Sequence, residues 1–278
     1  MKHIYDTVSL NTSKITTKSY STSFSLGIRF LNKRFHDPIY AIYGFVRFAD
    51  EIVDTFHDYN KSDLLKRFRK DARLAIEEKI SLNPILNSFQ WVVHKYSIPM
   101  ELIDTFLDSM EMDLHKNNYN QSNYEKYILG SAEVVGLMCL KVFVEGDEKK
   151  YNELKYYAMR LGSAFQKINF LRDMQADYKE MGRMYFPGVN LAEFNDSVKK
   201  EIEADIEKDF ADGLTGIKML PKSARFGVYV AYVYYSSLLL KIKQTDSSKV
   251  MHERIRIPNK KKYALFVGSY IRHSFNII

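Results

Sequence analysis

The chain is poor in the residues that make crosslinks, hinges and membrane spans. A single cysteine, Cys139, in 278 residues excludes an intramolecular disulfide and fits a reducing compartment. Twelve glycines and six prolines, with no Gly/Ser tract, repeat or low-complexity stretch, leave no candidate linker. No run approaches the roughly 20 apolar residues of a membrane-spanning helix, and the longest uncharged stretch, residues 226–240, reads as a buried helix. The first 18 residues lack the apolar core of a secretory signal. None of the seven histidines belongs to a Glu-x-x-His pair, which speaks against a dinuclear iron bundle. No Gly-x-Gly-x-x-Gly fingerprint is present.

What is there is a mixture of 46% apolar and 27% charged residues, the composition of a soluble globular protein. One domain spanning residues 1–278 is the economical division. The formal charge is +7 and the pI about 9.1. No zinc-ligand spacing or nucleic-acid module accompanies that charge, so nucleic acid is not an expected partner. Part of the excess collects at Arg254, Arg256, Lys260, Lys261 and Lys262. Solvated charge is the plainest account of it, and contact with an anionic membrane surface is the functional one.

Periodicity predicts an all-α chain, with helices at about 38–58, 63–79, 84–96, 99–114, 123–144, 148–181, 197–211, 221–243 and 260–274. Asp37 before Pro38 and Asn83 before Pro84 look like N-caps followed by a first-turn proline, and Ser62 is a candidate cap for the next helix.

The first of these helices holds a contradiction. Residues 39–56 are apolar on every face except for Arg47, Asp50, Glu51 and Asp54, and a helix apolar all round belongs inside a protein. Buried acids without partners are costly. Asp50 and Asp54 lie one above the other, about 6 Å apart along the axis. A bound cation would keep them ionised and an anion would partner Arg47, so a metal-bridged phosphate satisfies both. The pattern returns at residues 166–177, where Asn169, Asp173 and Asp177 follow at four-residue steps beside Arg172, with Gln166 a turn earlier. All-oxygen ligands suit Mg²⁺, Mn²⁺ or Ca²⁺ and disfavour zinc and copper. Mg²⁺ commonly completes its shell with substrate phosphate, which predicts a diphosphate ligand. Asp108 and Asp113 are five apart, off a common face, and read as surface or structural acids.

These residues resemble the squalene and phytoene synthase family, most nearly its bacterial phytoene synthases. The ordered motifs are Tyr20-Ser21-Thr22-Ser23-Phe24-Ser25, Ala41-Ile42-Tyr43 with Arg47 and Asp50 to Asp54, residues 127–138, residues 162–177, and Gly182-Arg183-Met184-Tyr185-Phe186-Pro187. The resemblance implies an isoprenoid-synthase helical fold around a central cavity. It implies metal ligation by Asp50, Asp54, Asn169, Asp173 and Asp177, with Mg²⁺ as the cofactor, Mn²⁺ as its substitute, and NADPH not expected. Diphosphate or reacting-centre contacts fall on Tyr20, Ser21, Ser23, Tyr43, Arg47, Gln166, Arg172 and Tyr235, with catalysis carried by Tyr43, Arg47, Asp50, Asp54, Asp173 and Asp177. Expected cavity walls are Phe24, Tyr43, Phe45, Val134, Leu137, Met138 and Phe165. Many relatives carry a second aromatic where this chain has Leu129, which reshapes the pocket.

The implied reaction is Mg²⁺-dependent head-to-head joining of two geranylgeranyl diphosphates to phytoene in carotenoid biosynthesis. The alternatives are a farnesyl-diphosphate-using dehydrosqualene or squalene synthase, or a noncatalytic helical scaffold. A terpene cyclase fits less well, because both motifs are DxxxD where a DDxxD is usual. The expected partners are prenyl diphosphates, and the expected setting is cytoplasmic with peripheral contact at the inner membrane surface.

Overall fold

The computed structural model describes residues 1–115, 119–189, 194–258 and Ser269. Apart from Ser269, the helix expected at 260–274 lies outside the described residues, as do Lys260, Lys261 and Lys262. The α-helices are α1 (Lys2–Tyr20), α2 (Thr22–Arg29), α3 (His36–Asp54), α4 (Lys61–Glu78), α5 (Pro84–Tyr96), α6 (Met100–His115), α7 (Gln121–Ile128), α8 (Val134–Phe143), α9 (Glu148–Met181), α10 (Asp196–Met219), α11 (Lys222–Lys243) and α12 (Ser247–Val250). No helix among the described residues is long and apolar enough to cross a membrane.

Several starts follow the expected chemistry and others depart from it. Asn83 caps α5 by accepting from Ile85 N at 3.0 Å, and Pro84 opens the helix. At α3 a 3₁₀ turn, Lys33–Phe35, runs straight into the helix, so Asp37 sits in the first turn and is no cap. Asn60, not Ser62, caps α4: its side chain accepts from Asp63 N at 3.2 Å and donates to Asp63 Oδ2 at 2.7 Å.

Three of the described helices, α1, α2 and the single turn α12, escape the periodicity altogether. Helix α1 buries Ser9, Ser13, Thr16 and Thr17 while Ile4, Val8 and Ile15 face outward. Its hydroxyls are satisfied inside: Ser13 Oγ meets Ser88 Oγ at 2.7 Å, and Thr17 donates to the Ser13 carbonyl at 2.8 Å. Helix α2 follows at once, Ser21 closing α1 and capping α2 through Phe24 N at 3.1 Å.

The innermost helix is α3, which packs against α1, α5, α6 and α8, while α9 packs against α8, α10 and α11. Among the described residues α3 and α9 are not major packing partners. One face of α9 is pinned to α10 by buried charges: Asp209 receives Lys167 at 2.8 Å and Ser163 at 2.7 Å, and Arg160 bridges Asp209 and Glu133.

The helix expected over 123–144 is interrupted by a π turn, Leu129–Glu133. A π turn inserts one residue and rotates the helix beyond it, so the face presented by α8 differs from the one expected. Val134, Leu137 and Met138 are fully inside the core, whereas Val135 and Cys139 keep accessible surface. Burial alone pushes the Cys139 thiol up to about 12. Phe45 is likewise core and no cavity wall: it is fully buried, stacked on Phe89 with centroids 3.9 Å apart.

Small residues let the π turn approach its neighbours. A Cβ on Gly130 would lie 2.5 Å from Ser109 Cβ and 2.6 Å from the Thr105 carbonyl; one on Gly162 would lie 2.7 Å from the Ala132 carbonyl. Gly130→Ala is therefore expected to destabilise the fold by about 1–3 kcal/mol, the usual cost of overpacking, measured by denaturant unfolding. A change within 0.3 kcal/mol, on the order of measurement error, would contradict the close approach.

Candidate functional site

The acids of α3 sit beside basic partners. Arg47 Nη1 donates to Asp50 Oδ2 at 2.6 Å and its Nε to Glu51 Oε2 at 2.9 Å. Its guanidinium lies over the Tyr20 ring, 4.3 Å from the centroid. Tyr43 stands one turn before Arg47 and packs on Phe24 at 5.2 Å. Burial pushes its phenol up to about 12, opposed by Arg47 and a hydrogen bond with Ser21. Ser23 is half-buried in the first turn of α2. These placements bring Tyr20, Ser21, Tyr43, Arg47 and Asp50 together along one face of α3, from its middle to its C-terminal turns, where α1 gives way to α2.

The α9 residues gather in the same way. Arg172 Nε donates to Asp173 Oδ1 at 3.0 Å, and Arg254, from the segment after α12, meets the same oxygen at 2.6 Å. Asn169 Nδ2 is 3.5 Å from Gln166 Oε1, and Tyr235 of α11 donates to Asn169 Oδ1 at 3.4 Å. The Tyr235 ring stacks on Phe165 at 4.2 Å. Asp177 has no basic partner within ion-pair distance among the described residues.

The two sets sense each other electrostatically. Desolvation, then the charge of Asp54, raises Asp50 to about 7, although a third of its side chain is accessible. Desolvation, then Asp173 and Asp54, raises Asp177 to about 8. A carboxylate with accessible surface and a raised pKa sits among groups that leave little solvent to stabilise its charge. Among the described residues no three acids, histidines or cysteines converge tightly enough to enclose a metal ion. The chemistry of the donors nonetheless fits one: hard oxygen ligands, mutual repulsion in low dielectric, and Asp177 lacking a cation.

Three residues named in the sequence, Asp113, Arg183 and Arg254, were not assigned there to the partners they meet. Asp108 is a surface acid paired with Arg69, but Asp113 is interior, its side chain 2% accessible, and it is joined to Arg183. Arg183 reaches Asp54 at 2.6 Å. Arg254 reaches Asp173 from the basic C-terminal region, where its charge is paired and not merely solvated. No local spacing marks Arg183 or Arg254, because each meets its acid across a long stretch of chain.

With this geometry in place, the comparisons with known proteins decide the family. The squalene/phytoene synthase family model matches residues 17–261. The chain belongs to that family. It is a prenyltransferase of this type, and the resemblance read from its motifs holds. It is 26% identical over 271 residues to 4,4'-diapophytoene synthase of Staphylococcus haemolyticus (strain JCSC1435), covering 90% of this chain and 92% of that one. It is also 26% identical to the chloroplastic phytoene synthase 1 of Solanum lycopersicum, over 88% of this chain and 64% of that one. A dehydrosqualene synthase solved in complex with a ligand superposes with a TM-score of 0.84 at 20% identity, covering 97% of this chain and 98% of that one. The squalene synthase HpnC from Alicyclobacillus acidocaldarius gives 0.75 at 19% identity, over 87% and 95%. The fold is thus the isoprenoid-synthase helical fold.

The raised carboxylates carry a sign for stability. Asp50 and Asp177 bind protons more tightly folded than unfolded, where each titrates near 3.8. Their contribution is therefore present below about pH 4 and is lost as pH rises through 7 to 8. Melting temperature in chelating buffer is expected to fall between about pH 6 and 8, and to fall less in Asp50→Asn. Mg²⁺ should raise it at the upper end and not at the lower. An equal slope in the variant would contradict the raised pKa of Asp50.

Proposed function

We propose that this prenyltransferase joins two identical allylic prenyl diphosphates head to head, through a cyclopropylcarbinyl diphosphate, to a linear hydrocarbon. Geranylgeranyl diphosphate is the leading substrate, making the chain a phytoene synthase. The observation that carries the reading is the pair of acid helices, α3 and α9, each with guanidiniums at its carboxylates and near enough that Asp54 of α3 raises the pKa of Asp177 of α9.

Asp50, Asp54, Asn169, Asp173 and Asp177 would hold Mg²⁺, which supplies charge neutralisation of the diphosphate leaving group. Arg47, Arg172, Ser21 and Ser23 donate to diphosphate oxygens and stabilise the charge that develops as the allylic C–O bond breaks. Tyr43 and Tyr235, fixed by their stacks on Phe24 and Phe165, present ring faces to the allylic cation. The acceptor double bond attacks that cation, and loss of a proton closes the cyclopropane. The second diphosphate then leaves, the ring rearranges, and a further proton is lost to released diphosphate. Val135, Cys139 and Phe165 keep water from the cation, which it would capture as an alcohol.

A second reading, farnesyl diphosphate as substrate, is favoured by the likeness to 4,4'-diapophytoene synthase over 92% of that protein. Against it, Leu129 is partly accessible where a bulkier ring would shorten the space for a tail.

The test offers purified protein labelled C15 or C20 diphosphate with Mg²⁺, with and without NADPH, and identifies the hydrocarbon by mass. A C40 hydrocarbon formed without NADPH is expected, and a C30 product alone would overturn the phytoene assignment. Asp50→Asn and Asp173→Asn should each lower kcat by at least about a hundredfold, the scale of a lost electrostatic contact to the leaving group. Turnover persisting in chelator would overturn the role of the carboxylates.

A further inference from the structure

Arg183 stands apart from the other guanidiniums at the acids. The side chains of Arg47, Arg172 and Arg254 keep 26%, 18% and 49% of their surface accessible, whereas Arg183 keeps 5%. It is tied on every side. Nη1 donates to Asp54 Oδ1 at 2.6 Å and to the Tyr185 hydroxyl at 3.3 Å. Nη2 donates to the Asp113 carbonyl at 3.0 Å and to the Val53 carbonyl at 3.4 Å. The segment after α9 is thereby fastened to the end of α3 and to α6.

Asp113 is the counter-ion behind it, with Oδ1 lying 3.7 Å from Nη1. Three tyrosines saturate its carboxylate: Tyr127 donates to Oδ2 at 2.7 Å, and Tyr119 and Tyr185 donate to Oδ1 at 3.1 and 3.4 Å. Their rings lock one another, Tyr185 lying 5.0 Å from Tyr127 and 5.2 Å from Tyr119, and stacking on Phe170 of α9 at 4.0 Å. A buried ion pair alone is poor evidence of purpose, since apolar residues often replace one at no loss of stability. This one has a third member facing the cleft. Asp54 keeps 31% of its side chain accessible, is held only through Oδ1, and takes no bond at Oδ2 from a described residue.

We propose that Arg183, braced by Asp113 and the Tyr119, Tyr127 and Tyr185 cluster, is a positioning residue that fixes Asp54 so that Oδ2 meets a divalent cation shared with α9. The inference rests on the reading of Asp54 as a metal ligand. Arg183 does not touch substrate. It sets which oxygen Asp54 offers and keeps the end of α3 in register with α9, as hydrogen-bonded outer partners do for other carboxylate ligands.

The test measures Mn²⁺ binding to the full chain by electron paramagnetic resonance, with inorganic diphosphate as the probe, alongside the Mg²⁺ dependence of turnover. Arg183→Met and Asp113→Asn are expected to weaken Mn²⁺ binding by about tenfold or more and to raise the half-saturating Mg²⁺ by a like factor. The kcat at saturating Mg²⁺ should fall less, and Arg183→Lys should recover part of the loss. Adding Arg183→Met to Asp54→Ala should change Mn²⁺ binding no further, because the effect runs through Asp54. Should Arg183→Met not fold, Tyr119→Phe removes one donor from the brace and should shift binding the same way by less. Unchanged Mn²⁺ binding in folded Arg183→Met, or in Tyr119→Phe where the former does not fold, would overturn the inference, as would a further loss in the Asp54→Ala background. If Asp54→Ala itself binds Mn²⁺ normally, the metal reading of Asp54 fails. If Asp54→Ala loses Mn²⁺ and Arg183→Met does not, only the positioning role fails.

Discussion

Carboxylates that share a confined, poorly solvated space repel one another, and a fold that gathers them must bring cations to the same place. Here burial raises the pKa of Asp50, Asp113 and Asp177, and the charge of Asp54 raises all three further. Arg47, Arg172, Arg183 and Arg254 answer that repulsion, each at a carboxylate oxygen. The arginines differ in kind. Three are partly accessible and able to turn toward an anion, while Arg183 is enclosed and serves the framework. The remaining imbalance, greatest at Asp177, is the charge deficit that a divalent cation bridged to a diphosphate would fill.

The rest of the architecture can be understood as what holds α3 and α9 apart yet aligned. Helix α8 packs against both, and the π turn before it is set close by Gly130 and Gly162. The buried charges of Lys167, Asp209, Arg160 and Glu133 pin one side of α9 to α10 and the π turn. That leaves Gln166, Asn169, Asp173 and Asp177 on another face of α9, each half-buried. On the α3 side, Phe45 anchors the helix in an aromatic stack with Phe68, Phe89 and Phe106. Arg47 and Asp50, on neighbouring turns, are thus carried by a rigid element, as the proposed stabilisation of leaving-group charge without reorganisation would require.

Much of this was legible in the sequence because its signals are local. Four-residue spacing of acids within apolar helices is visible in one dimension, as is Asn83 before Pro84. Helix α1 was not, since its apolar residues Ile4, Val8 and Ile15 point outward and its buried face is made of hydroxyls. Periodicity reads burial from hydrophobicity, and α1 satisfies small polar groups inside instead. The π turn escaped for another reason: one inserted residue leaves composition unchanged but turns α8, exchanging Val134, Leu137 and Met138 for Val135 and Cys139 on the accessible face. Spacing took Asp108 and Asp113 off a common face and left both as surface or structural acids, which is what they are, Asp108 at the surface and Asp113 structural; the tyrosines and the arginine that hold Asp113 lie elsewhere in the chain. Arg183 and Arg254 act across 129 and 81 positions respectively, distances at which no spacing rule operates.

The central claim is that the acids of α3 and α9 jointly hold a cation that a diphosphate bridges. Anomalous diffraction from crystals soaked in Mn²⁺ and inorganic diphosphate tests it most directly. The account predicts peaks within about 2.2 Å of oxygens from Asp50 or Asp54 and from Asp173 or Asp177, with diphosphate between them. Diphosphate bound elsewhere, or bound between the helices with no metal peak at these carboxylates, would contradict it.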